Sequence, residues 1–240
     1  MGNDEIAFRK FLQRYPTKRY HKGEIVIFQG EAPRSVYVVK TGVMKAYNLS
    51  VQGDEKPVDF YSDYDIFPVP WVFQKAPNSF FYFEAFTDVE LYALPREDYL
   101  TYIKGDPEYA FTVLNRFVVD YLGNAMRLNA LQHSRASDKL LYTLHYLTLT
   151  HGKTIAPRVV EITLNLTHQD FANLTGLTRE TAATELNKLK NAGVITYGKH
   201  TLYQVSLDKL QHTINDQFIT DVQASMEGMA RGSANASPAI

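Results

Sequence analysis

Between residues 19 and 95, short apolar runs alternate with turns that contain glycine. In the segment RYHKGEIVIFQGE, Ile25 and Ile27 alternate with Val26 and Phe28 between two glycines. Similar runs follow in SVYVVKTGVMKAYNL and EAFTDVELYALP. Period-two alternation with turn residues at short intervals is typical of β-strands in a small sandwich or barrel.

The pattern changes to a helical period over residues 107–132. Pro107 suits the first position of a helix, and acidic residues flank it. Apolar residues recur at spacings of three and four, which predicts a seam for a second helix. Because further apolar residues widen this face, we expect the helix to pack on the barrel and on a second copy of itself. The alternative is one broad amphipathic helix in a single core. The seam comprises Phe111, Leu114, Val118, Tyr121, Ala125 and Leu128.

After His133 the aromatic-rich composition gives way to leucine, threonine and asparagine at helical spacing, which predicts a domain boundary near residues 133–136. Leucines at helical spacing then predict a helix over 136–150, capped by Ser134 or Ser137. Gly152 follows the end of this helix, in the position where glycine commonly takes a left-handed conformation.

Residues 166–205 carry the most informative motif. Thr167 and Asp170 resemble a capping box before a helix over 168–174. Thr175-Gly176-Leu177 is a tight turn, and Thr178 can cap a second helix over 179–191, with Ala182, Leu186 and Leu189 facing inward. Small residues at 172 and 176 would let the two helices cross closely. The runs VITYG and LYQVS then predict a hairpin, so the segment indicates a winged helix-turn-helix that binds the DNA major groove.

The second helix of this motif offers suitable chemistry for DNA. Arginine can bond guanine, glutamate accepts from cytosine, and threonine contacts either bases or a thymine methyl. Lysines would hold phosphates, which set position rather than sequence. The alternative is an ordinary solvated helix face. The predicted DNA-binding residues are Thr178, Arg179, Glu180, Thr184, Lys188 and Lys199.

The composition excludes several classes of site but does not identify the function. The 240 residues include no cysteine, which excludes disulfides, thiolate zinc sites, iron–sulfur clusters and a cysteine nucleophile. The formal net charge is −1, so DNA binding must rest on local charge. We identify no signal peptide and no apolar run of membrane-spanning length, and expect a cytoplasmic protein.

These features together resemble the Crp/Fnr family of bacterial transcription regulators. YPTKRYHKGEIVIFQGEAPRSVYVVKTGVMKAY looks like the opening of the family's β-roll, and LTRETAATELNKL resembles its recognition helix. The resemblance implies an α+β fold. A double-stranded, jelly-roll-like β-roll with a long dimerisation helix would occupy 1–133, a winged helix-turn-helix domain 134–215, and a C-terminal extension, flexible at its end, 216–240.

The chain departs from the branch of this family that binds cyclic AMP. The positions that hold the ribose and phosphate in that branch correspond here to Val69, Ser79 and Phe80. Burying an anion without a cation or amide nest is costly, and Lys75 is the only cation between Tyr61 and Asp88. We therefore expect no specific binding of cyclic AMP. Thr184 replaces a base-contacting arginine of the family, which predicts a different target site.

We expect a homodimer on a pseudo-palindromic duplex, with RNA polymerase as a further candidate partner. An effector would bind between the β-roll and the long helix, in a pocket whose polarity suits a neutral or aromatic molecule; the alternative is a filled core. The candidate lining is Trp71, Phe73, Phe81, Phe83 and Asn124.

Three alternatives compete with an effector-controlled regulator. One is a constitutive DNA-binding protein with a ligand-free β-roll, and another is a haem sensor, for which His21 is the only histidine before His133. An oxygenase-type enzyme needs two or three inward histidines with a carboxylate, which the barrel region lacks. We therefore predict no catalysis, no cofactor and no metal site.

Overall fold

The computed structural model describes residues 3–198, 201–214 and 216. Its backbone packing divides the chain into two compact units between Tyr121 and Leu122, inside the long helix. The domain limits at 133 and 215 stay predictions. Of the proposed extension 216–240, only Asp216 lies within the described residues.

The first unit is built on a β-roll. Over residues 3–121 its eight strands are β1 (Thr17–Tyr20), β2 (Ile25–Ile27), β3 (Val36–Thr41), β4 (Met44–Leu49), β5 (Glu55–Tyr61), β6 (Ile66–Phe67), β7 (Tyr82–Ala85) and β8 (Val89–Leu94). They form two antiparallel sheets, ordered β1–β8–β3–β6 and β2–β7–β4–β5. This arrangement confirms the β-roll expected from the alternating pattern.

One glycine is indispensable to the roll. Gly42, between β3 and β4, has φ +88°, and a Cβ there would lie 2.3 Å from the carbonyl oxygen of Asp88. The turn therefore needs both a left-handed backbone and the absence of a side chain.

Four helices accompany the β-roll: α1 (Asn3–Leu12), α2 (Val69–Val72), α3 (Arg96–Gly105) and α4 (Pro107–Gln132). The bounds of α4 confirm those predicted. Helices α1 and α3 were not predicted. Phe8 of α1 is buried against one sheet and stacks on Tyr109, with ring centroids 4.3 Å apart, so α1 belongs to the same apolar core as α3 and α4.

The second unit surrounds the helix α5 (Ala136–Thr150), whose bounds also confirm those predicted. Along 151–198 and 201–214 it continues as β9 (Gly152–Ala156), β10 (Val159–Ile162), α6 (His168–Thr175), α7 (Arg179–Asn191), β11 (Ile195–Gly198), β12 (Thr201–Ser206) and α8 (Leu207–Ile214). The strands form one antiparallel sheet, ordered β11–β12–β10–β9. The predicted hairpin thus pairs with a second, unpredicted hairpin.

The structure contradicts the predicted N-cap of α5 and confirms that Gly152 follows the end of this helix. Arg135 occupies the N-cap position without a side-chain hydrogen bond, so neither Ser134 nor Ser137 caps the helix. Gly152 is not left-handed; a Cβ there would lie 2.1 Å from the carbonyl oxygen of Thr148. This glycine is required by a close backbone approach, because β9 starts directly against the last turn of α5.

Candidate functional site

The candidate recognition helix α7 begins at a well-defined turn. Thr178 is its N-cap and accepts a hydrogen bond from the Thr181 backbone N–H at 3.2 Å, as predicted. Gly176 ends α6 in the left-handed conformation, with φ +67°. A Cβ on Gly176 would meet no atom within 4 Å, so the expectation that this glycine permits close helix crossing was wrong. Its role is conformational.

Helix α6 packs against the inner face of α7. The predicted capping box of Thr167 and Asp170 is present, and Phe171 and Ala172 are buried between the helices and the sheet. The inner face of α7 is Ala182, Leu186 and Leu189, as predicted. This burial fixes which side of α7 is presented to solvent.

The outer face of α7 is exposed and polar. Arg179, Glu180, Thr184 and Lys188 are all exposed. The Thr184 hydroxyl donates to the Glu180 carbonyl at 2.9 Å, and Lys188 Nζ lies 2.7 Å from Glu185 Oε1. The side chains of Arg179 and Glu180 make no hydrogen bond or salt bridge within the part of the chain that the structure describes, so their charged groups are available to a partner.

The wing strand β11 is joined to the end of α7 by three contacts that the sequence did not indicate. Lys190 Nζ donates to the Tyr197 carbonyl at 2.9 Å and lies 4.3 Å from the centroid of the Tyr197 ring. The Tyr197 hydroxyl donates to Asn187 Oδ1 at 3.0 Å. Asn187 lies one turn after Thr184, so helical spacing could have added it to the candidates. Lys199 lies outside the described residues.

A second candidate feature is an exposed apolar stripe on α4. In the first unit Phe111, Leu114, Val118 and Tyr121 are 60%, 55%, 49% and 72% exposed. In the second unit Ala125 and Leu128 are also exposed. Every member of the predicted seam therefore faces solvent in the single chain. Contiguous apolar exposure of this kind marks interaction surfaces.

The first unit also contains a cavity of about 380 Å³ between the β5–β6 turn, α1, α3 and α4. Arg116 of α4 borders it, with Nη2 2.9 Å from Asp65 Oδ1 and Nε 3.3 Å from Asp120 Oδ1. The Arg9 guanidinium lies over the Tyr64 ring, 4.1 Å from its centroid. The walls are therefore both charged and aromatic.

Two carboxyl groups of this cavity have strongly altered acidity. Burial, reinforced by the nearby Asp120 carboxylate, raises the pKa of Asp59 from 3.8 to about 7. Burial also raises the pKa of Asp65 to about 6, although the Arg116 guanidinium opposes this. Both groups titrate close to neutral pH, which is typical of functional sites as well as of structural ion-pair networks.

The structure does not bring the predicted effector residues together around this cavity. Trp71, Phe81 and Phe83 border a separate space of only about 20 Å³, and Phe83 stacks on Phe67 in the core. Phe73 packs edge-on against Phe117 of α4. Asn124 is exposed in the second unit and borders none of the described cavities. The assignment of these five residues to an effector pocket stays a prediction.

The positions corresponding to the cyclic AMP site of the family offer little to an anion. Ser79 and Phe80 border the same space of about 20 Å³, which is the size of a water molecule rather than of a nucleotide, whereas Val69 borders the cavity of about 380 Å³. The described lining of the smaller space contains no lysine or arginine. The Ser79 hydroxyl donates to the Phe81 carbonyl at 2.7 Å, and the Phe80 side chain is 55% exposed.

No metal-binding group of three or more histidine, cysteine, aspartate or glutamate side chains occurs among the described residues. The His21 side chain is 86% exposed and lies 3.7 Å from Asp88, so it faces away from the aromatic core. Within the same residues, none of the helices combines the length and the apolar character that a bilayer crossing requires.

The two units define a class of protein: a β-roll of the cyclic nucleotide-binding type joined to a winged helix-turn-helix. A family model described as a cyclic nucleotide-binding domain matches residues 17–106. A second, described as a Crp-like helix-turn-helix domain, matches residues 138–213. The chain therefore belongs to the Crp/Fnr family of DNA-binding transcription regulators.

Similar proteins agree with this assignment. The chain is 26% identical over 184 residues to the global nitrogen regulator of Synechocystis sp., covering 76% of this chain and 81% of the relative. It is 25% identical over 191 residues to the cyclic AMP receptor protein of Thermus thermophilus, covering 80% and 84%. Its fold is similar to that of FixK2 from Bradyrhizobium japonicum, with a TM-score of 0.66, 18% identity and coverage of 82% and 96%. The Synechocystis relative is named as a regulator, and none of the three is named as an enzyme.

Proposed function

We propose that this chain is a homodimeric, sequence-specific DNA-binding regulator, that it has no catalytic activity, and that it acts in the cytoplasm. The observation that carries the proposal is the outer face of α7: its side chains are exposed, while its inner face is locked against α6 and its start is fixed by Thr178. Such a helix suits the major groove, which is wide enough to admit one helix. RNA polymerase would be the further partner of an activator.

The exposed side chains of α7 have distinct proposed roles. Arg179 would bond guanine in two places, and Glu180 would accept from a cytosine amino group. Thr184 would contact a base edge or a thymine methyl. Lys188 and Lys199, with the hydroxyl of Thr178, would contact phosphates and set position. Lys188 would exchange its Glu185 partner for a phosphate, so we expect it to affect all sequences alike.

The apolar stripe on α4 supports dimerisation. Its members repeat at spacings of three and four, which is the pattern of two helices that pack along a common seam. A symmetric dimer would place two recognition helices on half-sites about 34 Å apart, one helical turn of DNA. The occupant that we propose for this stripe is therefore the same stripe of a second copy.

We propose that an effector controls DNA affinity and that it binds in the cavity beside Arg116. The absence of space and of cations around Ser79 and Phe80 supports the view that cyclic AMP is not the effector. The alternative is a constitutive regulator whose β-roll serves only as a dimer scaffold. A haem sensor is disfavoured because His21, the candidate ligand, is exposed at the surface.

Selection of bound sites from random duplexes by the purified protein tests the proposal directly. We expect an enriched sequence with twofold symmetry and half-sites one helical turn apart, bound more weakly as salt increases. Failure to bind any duplex at low ionic strength would refute the proposed function. Enrichment of a single unrepeated half-site would leave DNA binding intact and refute the symmetric dimer.

Substitutions on α7 test the proposed roles. Glu180→Ala should relax preference at one base pair by about 1–3 kcal/mol. Lys188→Ala should weaken binding to all sequences and reduce its salt dependence. Glu97→Ala, which removes another exposed carboxylate from a helix of the first unit, is the control and should change neither property. Identical effects of the changes at 180 and 188 would contradict the division of roles.

A matched pair of valines tests the dimer. Val118→Glu places a charge within the α4 stripe and should convert the dimer to a monomer in analytical ultracentrifugation. Val51, in the β4–β5 turn, is fully exposed in the single chain, so Val51→Glu adds the same charge outside the stripe. We expect the control to remain dimeric. A monomeric control, or a dimeric Val118→Glu, would show that the stripe is not the interface.

A further inference from the structure

The cavity of the first unit has an excess of negative groups. Two guanidinium groups border it, those of Arg9 and Arg116. Five carboxylates border it as well: Glu5, Asp59, Asp63, Asp65 and Asp120. A cavity with this balance attracts cations and repels anions.

The two guanidinium groups are already engaged. Arg116 is held between Asp65 and Asp120, and Arg9 lies over the Tyr64 ring. Asp59 accepts a hydrogen bond from the Phe60 backbone N–H at 2.9 Å, and among the described residues it forms no salt bridge within 4 Å. Like Glu5 and Asp63, Asp59 therefore borders the cavity without a salt-bridge partner among the described residues.

The remaining walls favour a ligand with an apolar body. Tyr61, Phe117, Val69 and Val113 line the cavity beside the carboxylates. Its volume of about 380 Å³ lies within the range of pockets that hold small organic molecules. A bare metal ion would leave most of this apolar surface unfilled, and the described residues contain no metal-binding cluster.

We propose that this cavity binds a small organic cation, a primary amine or guanidine with an aromatic or aliphatic body, and that Asp59 is its counter-ion. The ammonium group would lie against Asp59, and the body would pack between Tyr61 and Phe117. This ligand class differs from the neutral molecule that the aromatic residues alone indicate. The step from binding to control of DNA affinity rests on the proposed function, since Arg116 and Asp120 belong to α4.

Three probes with the same phenyl body separate charge from shape. They are 2-phenylethylamine, which is a cation, 2-phenylethanol, which is neutral, and phenylacetate, which is an anion. Titration calorimetry with the full chain at about pH 8, where Asp59 is largely ionised, should show the amine binding at least about tenfold more tightly than either of the others. Equal binding of the alcohol, preference for the anion, or no binding of the amine at about 10 mM would overturn the proposal.

Two aspartate variants locate the site. Asp59→Asn keeps the acceptor for the Phe60 N–H while removing the charge, and should weaken binding of the amine by at least about tenfold. Asp88→Asn removes the charge of an exposed aspartate that borders none of the described cavities, and should leave binding unchanged. An unchanged affinity in Asp59→Asn would refute the assignment of the counter-ion.

Gel-shift measurements with and without the amine separate this proposal from the proposed function. If the amine binds but DNA affinity does not change, the cation site stands and effector control fails. If the chain binds no DNA, the proposed function fails while the calorimetric result still decides the cation site.

Discussion

The buried carboxylate of Asp59 should reduce the stability of the β-roll as pH rises. Its pKa is raised to about 7 by burial and by the Asp120 carboxylate, whereas the unfolded chain has the ordinary value of 3.8. Between these two values the folded chain binds more protons than the unfolded chain. The stabilising contribution of the neutral form is therefore complete at low pH and is lost as pH rises through the folded pKa.

The size of the effect follows from the two pKa values. Integrated from pH 5 to pH 8, ionisation of a group with these values costs at most about 3 kcal/mol. Because Asp59 is half-buried and borders the cavity, we expect about 1–2 kcal/mol. Asn cannot ionise but keeps the hydrogen bond to Phe60. Asp59→Asn should therefore be more stable than the parent chain at pH 8, with a smaller difference at pH 5.

Urea unfolding at the two pH values measures this difference. Trp71 is the single tryptophan and packs against a core cluster of the first unit, so its fluorescence reports unfolding of the unit that contains Asp59. Asp65 and Asp120 remain in both proteins, so the difference between the two proteins measures the ionisation of Asp59 together with its coupling to these two carboxylates. A parent chain and variant that lose stability equally between pH 5 and pH 8 would refute the reasoning.

Three further substitutions test how the second unit is built, each by thermal unfolding. Gly152→Ala should destabilise it by about 1–3 kcal/mol or more, because the new Cβ would meet the fixed Thr148 carbonyl. Gly176→Ala should cost only about 1–2 kcal/mol, since it strains the left-handed backbone without a clash. Thr178→Ala should cost about 1 kcal/mol through loss of the α7 cap. A larger cost at Gly176 than at Gly152 would contradict the distinction between the two glycines.

The recognition motif was predictable because its signals are local. The capping threonines, the turn glycine and the apolar spacing of α7 all lie within one stretch of sequence, and they fixed its start, its end and its inner face. The long helix α4 was predictable for the same reason. Two features of α5 lie outside these rules. Its N-cap is Arg135, which makes no side-chain hydrogen bond. Gly152 follows the helix as predicted, but it is needed because β9 starts so close to the last turn that a Cβ would clash with the Thr148 carbonyl.

The cavity could not be found in this way because its charged groups are distant in sequence. Asp59 and Asp65 flank a β-turn, whereas Arg116 and Asp120 lie on a helix about fifty residues later. The unpredicted helix α1 adds another wall through Glu5 and Arg9. The many aromatic residues between 60 and 92 instead led to a predicted pocket that included Phe83, whose side chain fills the core.

The helix α4 connects the two proposals through the geometry of its own surface. In the first unit, Arg116 and Asp120 face the cavity, while Leu114, Val118 and Tyr121 are exposed on the stripe. These two sets alternate along the same turns, so any rotation or shift of the helix that accommodates a ligand must also move the stripe. A ligand can shift an equilibrium only by its difference in affinity between two states. A cation beside Asp59 would acquire this difference in affinity through Arg116. Its positive charge would weaken the salt bridges of Arg116 with Asp65 and Asp120.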